Sequence, residues 1–363
     1  MAAGTGRLSE MIDFSGFSIW NNVAVFAASA GIVWIAGTRL VRFVDRLSKQ
    51  TVMGQGFAGM LLLGGIVSLT EIATVSTAAF TGSPLLALNN LLGSESINLF
   101  LLAAVDPLSG REALTSFIAK PAMLFQGTLG IILLAVVAMA MVTGDFLIFG
   151  VGLWSAALFA LCLGALWMSA NYEKRKVWTS AQPKSEATGE DGKETAAEKA
   201  SSESLKLLIV KLTVVAAIIF AAGFLLSITG DALADQSGLG ESFVGFLLVG
   251  MSTSLPELST ITAAIRLKRH EMAVGDILGS NVFNLLLIFM TDVVYVGDAV
   301  LNHAGRFEIV ASLLAITMTG ILLLGILERR DRTILKMGYD SVALIGVFLV
   351  GCVALYLLSA QAG

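Results

Sequence analysis

Ten runs of this chain are long and apolar enough to cross a lipid bilayer, which takes about 20 mostly apolar residues in helical form. They fall at 17–37, 55–80, 85–105, 122–142, 146–168, 206–229, 241–265, 271–296, 307–327 and 338–359. Two of them, 55–80 and 241–265, carry polar residues inside the run. Only 14% of residues are charged and 56% are apolar, whereas a soluble domain is about 25% charged. These features exclude a soluble enzyme, a nucleic-acid binder and a disordered chain. Cys162 and Cys352 both lie within apolar runs, so neither a disulfide framework nor a cysteine zinc site is expected. The 16 N-terminal residues are polar and lack the basic start and short apolar core of a signal peptide. No Gly-x-x-x-x-Gly-Lys-Ser/Thr loop is present, so nucleotide is not an expected partner. The sequence describes an all-α integral membrane protein without cofactor or enzymatic chemistry.

Orientation follows from Lys and Arg, which accumulate in cytoplasmic loops. Alternate loops, after the first, third, fifth, seventh and ninth spans, hold 20 of the 23 basic residues. They include Arg39, Arg42, Arg46, Arg266, Lys268, Arg269, Arg329 and Arg330. Ten spans with both termini outside the cell membrane reproduce that asymmetry. Residues 171–204 read Ala, Ser, Thr, Glu and Lys and are expected to form a disordered cytoplasmic linker. A solvated tether is the plain reading; the segment is too short for a folded sensor domain.

The chain repeats itself. Residues 54–106 align without a gap to 240–292, and 19 of 53 positions are identical. The polar identities are the informative ones: Ser68/Ser254, Glu71/Glu257, Thr74/Thr260, Ser94/Ser280, Asn98/Asn284 and Asp106/Asp292, with Gly64/Gly250 and Gly93/Gly279 among the glycines. The unit holds five spans, 17–170 and 205–363. Five is odd, so the second unit must enter the membrane from the opposite face. The expected architecture is two five-helix inverted-topology repeats, the plan many secondary transporters use for alternating access.

Glu71 and Glu257 sit near the middle of their spans. A charge at the bilayer centre costs about 2.5–3.5 kcal/mol on insertion scales. A pseudo-twofold axis would bring the two together, where they repel unless a proton or a cation lies between them. Ser68 and Ser254 lie three residues earlier on nearly the same face, and Ser94–Asn98 and Ser280–Asn284 form four-residue stripes on the next helices. Carboxylate, amide and hydroxyl oxygens suit hard cations such as Na⁺ and Ca²⁺. Pro256 lacks an N–H and clashes with the carbonyl four residues back, so the helix is expected to open near Ser252 and free carbonyls for a ligand role. The alternative is a pair of protonated, hydrogen-bonded structural glutamates, with the serines serving interhelical packing.

Two stretches resemble a known family. Gly250-Met-Ser-Thr-Ser-Leu-Pro-Glu257 with Gly275-Asp-Ile-Leu-Gly-Ser-Asn-Val-Phe-Asn284 is similar to the second α-repeat of the cation/Ca²⁺ exchanger superfamily, the sodium/calcium exchanger group. Gly64-Gly-Ile-Val-Ser-Leu-Thr-Glu71 with Leu92-Gly-Ser-Glu-Ser-Ile-Asn98 resembles a degenerate first α-repeat. The resemblance implies a ten-helix antiporter whose ion centre is Glu71, Asn98, Glu257 and Asn284. It implies flanking ligands from Ser68, Ser254, Thr253, Ser94, Ser280 and the carbonyls of Gly64 and Gly250. Val67 and Thr70 stand where the family has Thr and Pro, Glu95 replaces an Asn whose counterpart is Asn281, and Asn89-Asn90 replaces Gly-Asn or Gly-Asp. Glu95 points about 100° away from Ser94 on a helix, which gives it a supporting place. The expected activity is Na⁺/Ca²⁺ exchange at a midplane site. The main alternative is Ca²⁺/H⁺ exchange on the same scaffold, and remoter ones are a cation channel or an intramembrane aspartyl protease. The expected partners are Ca²⁺, Na⁺ and the lipid bilayer, and a monomer suffices.

Overall fold

The computed structural model describes residues 16–50, 58–80, 82–110, 112–118, 121–173, 204–236, 241–328, 333–334 and 336–362. The polar N-terminal segment (1–16) and the linker (171–204) lie outside these residues, apart from 16, 171–173 and 204.

The described chain is helical throughout, save two small hairpins. The first half runs α1 (Ile19–Gln50), a π-helical turn π1 (Gly59–Leu63), α2 (Gly64–Val67), α3 (Leu69–Phe80), α4 (Pro84–Val105) and α5 (Pro121–Thr143). A hairpin of β1 (Leu147–Ile148) and β2 (Val151–Gly152) then leads into α6 (Leu153–Glu173). The second half runs α7 (Leu205–Asp235), α8 (Glu241–Phe243), π2 (Val244–Val249), α9 (Gly250–Thr253), α10 (Leu255–Arg266), α11 (His270–Val294) and α12 (Arg306–Glu328). It ends on β3 (Thr333–Ile334), β4 (Met337–Gly338) and α13 (Tyr339–Ala362). Almost every element recurs 186 residues on: α1 and α7 begin at 19 and 205, α3 and α10 at 69 and 255, β1 and β3 at 147 and 333.

Among the described residues, eight helices are long and apolar enough to cross a membrane, and nine if the bent pair Met60–Val67 and Leu69–Phe80 counts as one span. The expected span at 241–265 is helical but broken, and its longest regular piece is the 12-residue α10. The expected span at 146–168 begins later: Phe146–Gly152 form the hairpin, whose tip residues Phe149 and Gly150 both take positive φ (54° and 84°). That is the turn a two-residue hairpin loop requires. The first helix runs past residue 37 to Gln50, because Leu40, Val41, Val44 and Leu47 continue its buried face between the arginines.

Contacts between the halves are reciprocal. Helix α1 packs on α10 as α7 packs on α3, and α11 on π1 as α4 on π2. Glycine makes the last pair possible. A Cβ on Gly93 would run into the backbone of Phe246, and one on Gly279 into the backbone of Met60; positions 60 and 246 are themselves repeat counterparts. Two aspartates tie the halves in the same way. Asp106 accepts the amide N–H of Leu114 (2.7 Å) and, in the other half, of Gly338 (2.6 Å). Asp292 accepts those of Val300 (2.7 Å) and Gly152 (2.5 Å). The most enclosed spans are α4 and α11, while large apolar side chains such as Trp20, Val142, Trp167 and Val350 face outward. This is the surface of a protein whose solvent is lipid.

Candidate cation site

Both short helices break at a serine. α2 ends at Val67 and α3 starts at Leu69, with a bend of 41°. α9 ends at Thr253 and α10 starts at Leu255, with Ser254 near φ −86°, ψ 4°. The expected opening at Ser252 is therefore displaced by two residues. Pro256 occupies the first turn of the new helix, where its missing N–H costs nothing. The first half breaks identically with Thr70 in place of proline, so the ring is not what opens these helices. Each broken span instead carries a π turn just ahead of the break, which adds a residue to the helical count.

At each break the serine amide turns back on two carbonyls: Ser68 N–H reaches Gly64 and Ile66, and Ser254 N–H reaches Gly250 and Ser252. The Gly64 and Gly250 carbonyls, expected as ligands, are thus already engaged, and the Thr253 hydroxyl also lies 3.2 Å from the Gly250 oxygen. Thr70 bridges the halves. Its hydroxyl lies 2.8 Å from Glu71 Oε2, 3.0 Å from the Val67 carbonyl and 3.2 Å from the Thr253 carbonyl.

Glu71 and Glu257 are both fully buried and sit in the first turns of α3 and α10. The two side chains are neighbours across the halves. Neither oxygen of Glu257, nor Oε1 of Glu71, has a protein donor. Two carboxylates so placed require a proton or a cation between them. The Ser68, Ser254 and Ser280 hydroxyls, the Asn98 Oδ1 and both amide atoms of Asn284 are likewise buried without a hydrogen-bond partner. Other buried polar atoms also lack partners, among them Gln126 and Asp340, but here such atoms are gathered around one pair of carboxylates.

Other members are knit together. Thr253 Oγ1 lies 3.1 Å from Asn90 Oδ1 and 3.3 Å from Ser94 Oγ. Asn98 Nδ2 donates to Asn281 Oδ1 (3.0 Å), and Asn281 Nδ2 donates to the Glu95 carbonyl (3.1 Å). The Asn98 amide is thereby oriented with its oxygen free. Glu95 is buried, and its Oε1 has no hydrogen-bond partner.

Five residues in or beside this network are not among the ligands expected from the sequence: Thr70, Asn90, Thr260, Asp276 and Asn281. For two of them a signal was present, because Asn90 and Asp276 lie four residues before Ser94 and Ser280 and extend the same stripes by one turn. Among the described residues, no group of three or more His, Cys, Asp or Glu side chains is placed to hold one metal ion. The oxygens available to a single ion are thus two carboxylates with amides and hydroxyls.

A membrane-embedded helix bundle with a dry oxygen site at its broken helices belongs to the class of ion transporters. The family model described as "Sodium/calcium exchanger protein" matches residues 21–168 and 207–357. The chain belongs to that family, whose members transport Na⁺ and Ca²⁺ and are not enzymes. It is 26% identical over 257 residues to the inner membrane protein YrbG of Escherichia coli, covering 71% of this chain and 74% of that one. To the putative antiporter CaxA of Alkalimonas amylolytica it is 24% identical over 307 residues, covering 83% and 89%. Its fold is similar to a solved structure of the sodium-calcium exchanger NCX_Mj soaked with Na⁺ and Sr²⁺. The TM-score there is 0.66 at 16% identity, over 93% of this chain and 99% of that one.

Proposed function

We propose that the protein is a secondary-active antiporter that exchanges Na⁺ for Ca²⁺ by alternating access. Family membership supports cation/Ca²⁺ antiport. The observation that carries the finer reading is the set of buried, donorless oxygens on Glu71, Glu257, Asn98, Asn284, Ser68, Ser254 and Ser280. Two ionised glutamates balance one Ca²⁺ or two Na⁺, so one constellation serves both ions in turn, and competition for it is enough to link their fluxes. The Asn98 and Asn284 oxygens complete the centre; Thr253, Ser94 and the Gly64 and Gly250 carbonyls flank it.

The ten-span, inverted arrangement is part of this reading. The two aspartate ties support it. Asp106 closes α4 on one face of the bundle, and α5 (23 residues) then carries the chain across to the β1–β2 hairpin on the other face. Asp292, the counterpart of Asp106, binds Gly152 of that hairpin. On this reading equivalent residues fall on opposite faces, as an inverted repeat requires. The protein resides in the cell membrane with both termini outside and the 171–204 linker cytoplasmic.

The test is flux in proteoliposomes with Na⁺, K⁺ and H⁺ gradients imposed separately. An outward Na⁺ gradient drives ⁴⁵Ca²⁺ uptake. Uptake driven by a proton gradient and indifferent to Na⁺ replaces this reading with the Ca²⁺/H⁺ exchanger. Ca²⁺ flux without counter-transport indicates a channel.

A further inference from the structure

Asp276 is a third carboxylate in the interior of the bundle. It lies on α11 one turn before Ser280 and is fully buried. Glu71 and Glu257 are its acidic neighbours. Helix α11 carries no lysine or arginine, and α10 only the exposed Arg266, so these helices supply no counter-charge. Nor is Asp276 a third ligand of the ion held by the glutamate pair, since no three acidic side chains among the described residues converge on one ion.

The neighbour of Asp276 is a neutral hydroxyl. Thr260 Oγ1 donates to Asp276 Oδ2 and also lies 2.9 Å from the Glu257 carbonyl. A hydroxyl has one hydrogen. When that hydrogen goes to the Glu257 carbonyl, the Thr260 oxygen and the Asp276 carboxylate face each other as two acceptors. Asp276 Oδ1 meanwhile has no partner at all. The counterpart position in the first half is Asn90, a neutral amide whose Oδ1 takes the Thr253 hydroxyl at 3.1 Å. The two halves therefore differ here by one ionisable carboxyl, placed beside a pair of carboxylates already sufficient for Ca²⁺.

We propose that Asp276 and Thr260 hold a monovalent cation of their own, Na⁺ by the hard oxygen character of the donors. This side chain then sets how many monovalent ions the protein loads against each divalent one. The inference rests on the exchanger reading, and its test separates the two.

The full chain is purified in detergent and its thermal unfolding followed against NaCl, with choline chloride holding ionic strength constant. The dependence of stability on Na⁺ concentration counts the ions bound. The same preparations are reconstituted for Na⁺-dependent ⁴⁵Ca²⁺ flux. Asp276→Asn is expected to bind one Na⁺ fewer and to lower the Hill coefficient for Na⁺ by about one, while Ca²⁺ still competes. Thr260→Val, which keeps the volume and removes the oxygen, is expected to weaken apparent Na⁺ affinity several-fold. An Asp276→Asn protein with the wild-type Na⁺ count overturns the proposal. If that variant does not fold, unchanged Na⁺ affinity in Thr260→Val overturns it instead. Absence of any Na⁺-driven Ca²⁺ flux in the wild type refutes the exchanger reading alone, because the Na⁺ count in detergent still compares wild type with Asp276→Asn.

Discussion

Asp292→Ala is the sharpest test of how the halves are held together. The substitution removes two hydrogen bonds to backbone amides, those of Gly152 at 2.5 Å and Val300 at 2.7 Å, both in buried surroundings. Hydrogen bonds to a charged group contribute about 1.5–3 kcal/mol each, and the orphaned amides add a desolvation cost of similar order. Allowing for local relaxation, the expected loss is about 4 kcal/mol. With an unfolding entropy of about 2.1 cal/mol/K per residue, that lowers the melting temperature of a 363-residue chain by roughly 5 °C. Asp106→Ala makes the same pair of losses, at Leu114 and Gly338, and is expected to fall by the same amount. Asp292→Asn keeps one good acceptor and loses about half. Melting of the purified variants in one detergent, read by intrinsic fluorescence, gives the comparison. A shift below 1 °C for Asp292→Ala, or a large inequality between the two alanine variants, refutes the reciprocal-tie reasoning.

Several further outcomes follow from the same geometry. Gly93→Ala and Gly279→Ala drive a methyl into backbone and are expected to cost more than the 1–3 kcal/mol of ordinary overpacking, seen as loss of monodisperse protein. Gly31→Ala and Gly164→Ala meet nothing within 4 Å and are expected to hold or raise stability by up to about 1 kcal/mol. Pro256→Ala leaves the break at Ser254 in place, since Thr70 accompanies the same break in the first half. Its Ca²⁺ flux is expected within about threefold of wild type, and a hundredfold loss would show that the ring is required. Arg269→Ala breaks the ion contact with Asp45 (2.7 Å), which joins α1 to the start of α11 but is partly exposed. Such pairs contribute about 0–1 kcal/mol, so the melting temperature is expected to hold within about 1 °C.

Much of this architecture is visible in the sequence because the repeat is nearly gapless. One constant offset relates Glu71 to Glu257, Gly93 to Gly279 and Asp106 to Asp292, and it pairs almost every element. Local features were harder to read. Phe146–Gly152 is apolar enough to merge with the following span, so its hairpin is hidden by hydropathy. Proline is the strongest local signal and points to Pro256 as the cause of the helix break, whereas both halves break at serine after a π turn that no simple residue pattern announces. Within the site, motif spacing picks out the oxygens that remain without donors. It marks Thr70 and Asn281 only as points of comparison with the family motif, because their cross-half contacts to Thr253 and Asn98 do not follow from spacing. It passes over Asp276, because a Gly-Asp pair inside an apolar run reads as one more polar residue until the stripe through Ser280 is followed back a turn.

The central claim is that the Glu71–Glu257 pair is the shared seat of Ca²⁺ and Na⁺. Initial rates of Na⁺-gradient-driven ⁴⁵Ca²⁺ uptake in proteoliposomes test it most directly, comparing wild type with Glu71→Ala and Glu257→Ala at matched, folded protein density. The account predicts that uptake in each variant falls at least a hundredfold, to the level of protein-free vesicles. Uptake at the wild-type rate in either variant would contradict it.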